Sequence, residues 1–387
     1  MKRTYTLLFS LILVLSGCCK EESMSALSDR VFNLAKKQLT LLAAGTPSDC
    51  MPITYENGEM DYAGLPAWTS GFLPGSLWYV YEYTGDSEIK KLAVEQTLKL
   101  KDLPSMETDH DIGFQINSSF GNAYRLTGDE SYVSVMKVAA AKLAGRFSPV
   151  TGTIKSWEHR PEWRYPVIID NMMNLELLTA TYHIAGGDSL RNVAVTHSNT
   201  TLKNHFRPDY STYHVISYNP ETGEVEARQT AQGYADESCW SRGESWALYG
   251  FTMMYRETGE KSYLEQARKV AEYQIAHLPE DGVPEWDYDA PGESLQRDCS
   301  AGSITASALL ELSTFTTGDE SAKYKATAEK ILRTLASPEY LAAEGENGGF
   351  LLKHGVTDLH TGNGVDIPLT YADYYFLEAL IRYKNLQ

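Results

Sequence analysis

Two aspartates stand where a carboxyl group could move protons: Asp111 in HDIGF and Asp170 in VIIDNMMNL. Paired carboxylates in different surroundings let one site divide acid and base roles, the arrangement used in glycoside hydrolysis. Val167, Ile168 and Ile169 precede Asp170. Their apolar bulk would desolvate it and raise its pKa toward a proton-donating range. An aspartate at a helix start can also be a simple cap, so for either residue alone capping is the plainer reading; the pair together favours chemistry. Four further candidates follow: His214, Gln232, Arg242 and Trp246. A buried Arg242 would need a partner, either a uronate carboxylate or an acidic side chain. His214, single in a Tyr-rich loop, reads more simply as structural. Trp157, Trp163 and Trp240 are either stacking platforms or core.

A recurring turn places these residues. YEYTGD ends at Asp86, YRLTGD at Asp129, YHIAGGD at Asp188, YRETGE at Glu260 and TFTTGD at Asp319. Each follows an apolar, aromatic-rich segment and precedes an amphipathic one, such as Ser262 to Leu278. The glycine suits the left-handed end of one helix and the neighbouring Asp, Glu or Ser the cap of the next. Five such turns make a helical repeat array. The apolar segments read as buried inner helices and the charged ones as outer helices. Ala26 to Ala43 adds an outer helix and Asp373 to Asn385 an inner one. The chain thus predicts an all-α ring of six hairpins, an (α/α)6 toroid, with Ser148 to Tyr165 and Asp209 to Asp236 as loops clustered on one face.

The turns also serve as a ruler. Seventeen residues before the glycines at 85, 128, 187, 259 and 318 stand Trp68, Asp111, Asp170, Arg242 and Ala301. Thirteen before them stand Phe72, Gln115, Asn174, Trp246 and Thr305. These are equivalent positions near the starts of successive inner helices, where the helix dipole presents partial positive charge. Two carboxylates, a guanidinium and aromatics such as Trp68 at one mouth make a site for an acidic sugar.

The formal charge of −17 argues against nucleic acid and anionic membrane surfaces as partners. An anionic ligand must instead meet a local cationic pocket. Cys50, Cys239 and Cys299 lack CxxC spacing and read as buried, inert thiols, with neither a disulfide framework nor a metal site. Lys2 and Arg3, the apolar Leu7 to Leu15 and LSGC ending at Cys18 form a lipoprotein-type signal over 1–17. The expected mature protein carries its lipid on Cys18, a linker over 18–25 and a single catalytic domain over 26–387. It would sit in the cell envelope, in the periplasm or on the outer membrane, touching the membrane only through that lipid.

WTSGFLPGSLW, HDIGF, VIIDNMMNL, QGYADESCWSRGESWALYGF and the closing DYYFLEALIRY together resemble glycoside hydrolase family 88, the unsaturated glucuronyl hydrolases. The resemblance runs through essentially the whole mature chain, in order. It implies an (α/α)6 barrel without metal or organic cofactor, acting on lyase-generated glycosaminoglycan oligosaccharides. The residue matching Asp170 would protonate C4 of a 4,5-unsaturated uronic acid and then activate water for attack at C5. Asp111 matches the second carboxylate, which holds sugar hydroxyls and tunes Asp170. His214, Gln232, Arg242, Trp246 and Trp157 match substrate-contacting positions. Ala372 departs from a common glycine, which puts the far wall of the pocket in doubt. The rival readings are an unsaturated rhamnogalacturonyl hydrolase, a conventional inverting glycosidase on the same fold, and a non-catalytic glycan-binding surface lipoprotein. The Asp111–Asp170 pair counts against the last of these, and the shortage of suitable histidines against a sugar epimerase.

Overall fold

The computed structural model describes residues 22–292 and 296–387; the signal segment and Cys18 lie outside them. Ser23 caps the first helix, its hydroxyl accepting from the Ala26 amide, so α1 (Met24–Gly45) begins inside the stretch read as linker. Helices then alternate between two concentric layers. The outer layer contains α1, α3 (Ser87–Leu98), α6 (Ser131–Ala144), α8 (Asp188–Asn204), α10 (Lys261–His277) and α12 (Gly318–Leu335). The inner layer contains α2 (Phe72–Thr84), α4 (Ile112–Ile116) continued through a π turn into α5 (Asn122–Thr127), α7 (Asn171–Ala185), α9 (Ser241–Thr258), α11 (Cys299–Ser313) and α13 (Thr370–Asn385). Each inner helix packs on the next, and α13 returns to α2, which closes the ring. This is the toroid of six hairpins that the turn pattern predicts.

Composition explains the layers. In α11 every residue but Glu311 is buried, because Ala, Gly and Ser let neighbouring helices approach from both sides. The hydroxyl of Ser303 bonds back to the Cys299 carbonyl, so polarity is satisfied within the helix. In α12 only Tyr324, Ala328, Ile331, Leu332 and Leu335 are buried, a single stripe facing inward. The hairpin turns work largely as their residues require. Gly85, Gly128 and Gly259 take left-handed φ of 68°, 67° and 71° and end α2, α5 and α9. Asp86 accepts from the Glu88 and Ile89 amides, and Asp129 from that of Ser131. Three turns differ. Gly186 ends α7 outside the left-handed helical region while Gly187 takes the N-cap of α8, and Asp188 makes no side-chain cap. Glu260 makes no side-chain cap either, and Gly318 opens α12 instead of closing α11, which ends at Ser313.

The two long insertions are not irregular loops. The first carries the β3 (Phe147–Ser148) and β4 (Thr153–Ile154) pair, and the second supplies β6 (Val215–Tyr218) and β7 (Val225–Gln229), which form an antiparallel sheet with β5 (Pro166–Ile168), the segment just after the first insertion. Val167, Ile216 and Tyr218 give that sheet an apolar cluster of its own, which favours strand over coil. A two-stranded hairpin, β1 (Cys50–Glu56) with β2 (Glu59–Gly64), follows α1. Another, β8 (Gly355–Asp358) with β9 (Asn363–Ile367), precedes α13. Cys239 and Cys299 are buried free thiols; Cys50 is only half-buried, because it opens a strand of a surface hairpin.

Candidate active site

The starts of the inner helices open into a cleft of about 370 Å³ whose walls include Trp68, Asp111, Trp157, Asp170, Gln232 and Arg242. A larger cavity, of about 510 Å³, lies where the inner helices end. Its Arg125, Arg256 and Arg382 are already paired with Glu82, Glu176 and Glu311, so its greater size does not make it the reactive site.

Neither aspartate is a cap. Asp111 and Asp170 occupy N-cap positions of α4 and α7, yet neither side chain bonds to the helix amides. Both carboxyls turn to the cleft instead. Asp170 keeps 14% of its side chain exposed. Burial pushes its pKa up to about 7 against the opposing pull of Arg242 and Trp246. Such a carboxyl is part protonated at neutral pH and can both donate and accept a proton. Asp111 is pushed well up by burial, by Asp109 and by Asp170. Asn174 holds it, donating to Asp111 Oδ1 at 3.1 Å while accepting from the Phe114 amide at 2.7 Å. That seam needs glycine at 113, where a Cβ would fall 2.5 Å from Asn174 Cα.

His214 and Trp246 lie behind the cleft wall. His214 is 3% exposed, and its Nδ1 accepts the amide hydrogens of Ala231 at 3.2 Å and Gln232 at 3.3 Å. The ring proton therefore resides on Nε2, which faces Asp170. Burial, reinforced by Arg242, holds the His214 pKa well below its usual value, so the ring stays neutral. It stacks on buried Trp240 at 4.3 Å, and the Arg242 guanidinium lies 4.4 Å from the same indole. Trp246 is fully buried against Phe114 and Tyr375. It forms the floor and offers no open face for a sugar.

Arg242 has an acidic side chain as its partner. Nη1 donates to Asp298 Oδ2 at 2.6 Å and to the Val356 carbonyl at 2.5 Å, and Nη2 to the Thr357 carbonyl at 2.8 Å. Gln232 Nε2 also donates to the Thr357 carbonyl, at 2.8 Å. These two residues fasten the β8–β9 hairpin along one side of the cleft. Trp68 stands at the rim, its leading loop tied by Gln115, whose amide donates to the carbonyls of Pro66 and Ala67. Trp157 also lines the cleft, stacked on Trp163 at 6.0 Å.

The cleft also exposes Asp109, His159, Arg160 and Asp358, which sequence reasoning passed over. Asp109 had a signal, standing two residues before Asp111 in the same motif. His159 and Arg160 sit on a loop and Asp358 at the end of β8, where no helical periodicity marks them. Asp298 was missed as well, although it precedes the ruler position Ala301 by only one helical turn. Asp109, His110 and Asp111 cluster closely enough for a cation. His110, however, is fully buried behind the two carboxylates and bonded to Asn174, so the trio makes a poor open metal site.

The family model described as Glycosyl Hydrolase Family 88 matches residues 48–383. An unsaturated glucuronyl hydrolase of Formosa agariphila is 44% identical over 82% of this chain and 80% of its own length. An unsaturated chondroitin disaccharide hydrolase of Streptococcus pneumoniae is 33% identical over 94% of this chain and 92% of its own. Among solved structures, an unsaturated glucuronyl hydrolase specific for heparin superposes with a TM-score of 0.91 at 43% identity, covering 93% of this chain and 97% of that one.

Proposed function

The chain belongs to glycoside hydrolase family 88 and is a glycoside hydrolase; from that premise we propose how its cleft acts. It releases the 4,5-unsaturated uronic acid from the non-reducing end of lyase-generated glycosaminoglycan oligosaccharides by hydrating the C4=C5 bond. The observation that carries this reading is Asp170, a carboxyl held near neutrality on the cleft wall with Asp111 beside it.

Protonated Asp170 gives its proton to C4, and positive charge develops at C5 and the ring oxygen. The resulting carboxylate takes a proton from a water molecule as its oxygen bonds to C5. The hemiketal so formed opens to a C5 ketone, and the next sugar leaves from C1. One water is consumed, and Asp170 returns to its starting state. Asp111, held by Asn174, accepts from sugar hydroxyls. His214 presents a fixed N–H toward Asp170, and Trp68 and Trp157 supply apolar faces for the sugar rings.

The test is turnover of unsaturated disaccharides, followed by loss of the ultraviolet absorbance of the conjugated enol ether. Heavy water should leave deuterium at C4, and oxygen-18 water should label C5. Label at C1 without deuterium at C4 would return the enzyme to conventional glycoside hydrolysis.

The lipid anchor at Cys18 and residence in the cell envelope are part of the same proposal. They are supported by the basic, apolar and LSGC segments of the N-terminus. No helix among the described residues is long and apolar enough to cross a membrane. Replacing Cys18 with Ala should move the protein from the membrane fraction to the soluble one; continued membrane association would refute the anchor.

A further inference from the structure

The cleft is mostly acidic, with Asp109, Asp111, Asp170 and Asp358 on its walls, and an anionic substrate must find a cation there. Arg242 is a poor donor to a ligand's leaving half. It is 2% exposed, and its Nη atoms are engaged by Asp298 and the hairpin carbonyls. Arg160 is different. Its side chain is 38% exposed at the mouth. Its guanidinium carbon stands 5.8 Å and 5.7 Å from the ring centroids of Trp157 and Trp163. Its ion pair is with Glu162, two residues along, at 3.4 Å and with both partners exposed. Such a pair contributes little and yields readily to a better anion. The nearby Glu158 does not compete, because Arg146 holds it at 2.8 Å.

We propose that Arg160 binds a sulfate on the sugar next to the unsaturated uronic acid, the sugar that leaves. The inference rests on the reading of the cleft given above and specifies its substrate class. A ring stacked on Trp157 brings its substituents beside the guanidinium. The planar fork matches a sulfate or carboxylate with two parallel N–H donors, and the indoles beneath pre-orient it. In a glycosaminoglycan the leaving sugar is a hexosamine, whose anionic substituent is a sulfate.

The experiment compares a sulfated and an unsulfated unsaturated disaccharide of the same backbone. Arg160→Ala should lower the ratio of their kcat/KM values about tenfold, chiefly through KM of the sulfated substrate. Arg160→Lys should recover part of the ratio, since a point charge replaces the fork. A third arm carries a carboxylate in place of the sulfate; a preference for it would reassign the anion. An unchanged ratio in Arg160→Ala overturns the proposal, whether both substrates suffer equally or neither does. Calorimetric binding of the same disaccharides to Asp170→Asn, with and without Arg160→Ala, reads the claim apart from turnover. If the wild type cuts no unsaturated disaccharide, the proposed reaction fails, while the binding difference still decides Arg160.

Discussion

His214 Nε2 stands 3.7 Å from Asp170 Oδ2, and among the described residues neither atom has a hydrogen-bond partner. The two backbone amides on Nδ1 fix the tautomer, so a neutral N–H is aimed at the oxygen that must gain and lose a proton. His214 thus acts on the reaction through Asp170, as a positioning residue. Nitrogen-15 NMR should show the neutral Nε2–H form from pH 5 to pH 9. His214→Phe keeps a ring on Trp240 but removes the donor. It should lower kcat at least about tenfold and move the alkaline limb of the pH profile upward, because an ionised Asp170 loses a stabilising N–H. A titrating His214, or an unmoved limb, would end this assignment.

Asp170→Asn should abolish turnover and leave the fold intact, since the amide is nearly isosteric and cannot relay a proton. General acid–base catalysis contributes roughly a hundred- to ten-thousand-fold, and here one residue serves two steps. More than about a tenth of wild-type rate in the purified variant would remove Asp170 from its role.

The pH dependence of kcat/KM follows from the same carboxyl. Protonated Asp170 is the reactive form in the first step, and its pKa is raised to about 7. Activity should therefore fall as pH rises through about 7. A profile flat to pH 9 would contradict it.

Arg242→Lys should reduce kcat/KM beyond what a conserved charge implies. Lysine lacks the fork that reaches Asp298, Val356 and Thr357 together, and the β8–β9 side of the cleft should loosen. Asp298→Ala leaves the guanidinium buried without its carboxylate and should cost about 3–5 kcal/mol in urea unfolding. Wild-type stability in Asp298→Ala would show that the pair does not secure the hairpin.

Glu244 offers a stability test away from the chemistry. It is fully buried, bonded to Thr212 and Cys239, and burial raises its pKa to about 7. The folded state then holds a proton that the unfolded state releases from about pH 4.5 upward, so Glu244 increasingly opposes folding as pH rises to about 7. Glu244→Gln should raise Tm relative to wild type more at pH 8 than at pH 5, by up to about 3 kcal/mol of stability. An equal effect at both pH values would refute the shift.

The ring of hairpins was legible in the sequence because its signals are local. A left-handed φ at Gly85, Gly128 or Gly259 needs only glycine, and the buried stripe of α12 needs only spacing. The same ruler brought Asp111, Asp170 and Arg242 to successive helix starts. Tertiary structure alone decided what those side chains do there. Arg242 meets Asp298 across 56 residues of chain and the Val356 carbonyl across 114, pairings that no periodicity encodes. The second insertion became a sheet wall because Ile216 and Val167 could bury each other only once the barrel had brought them together. The pKa of Asp170 likewise depends on desolvation by surrounding elements. Burial of this kind is a property of the assembled environment, whereas turn and helix preferences belong to the residues themselves.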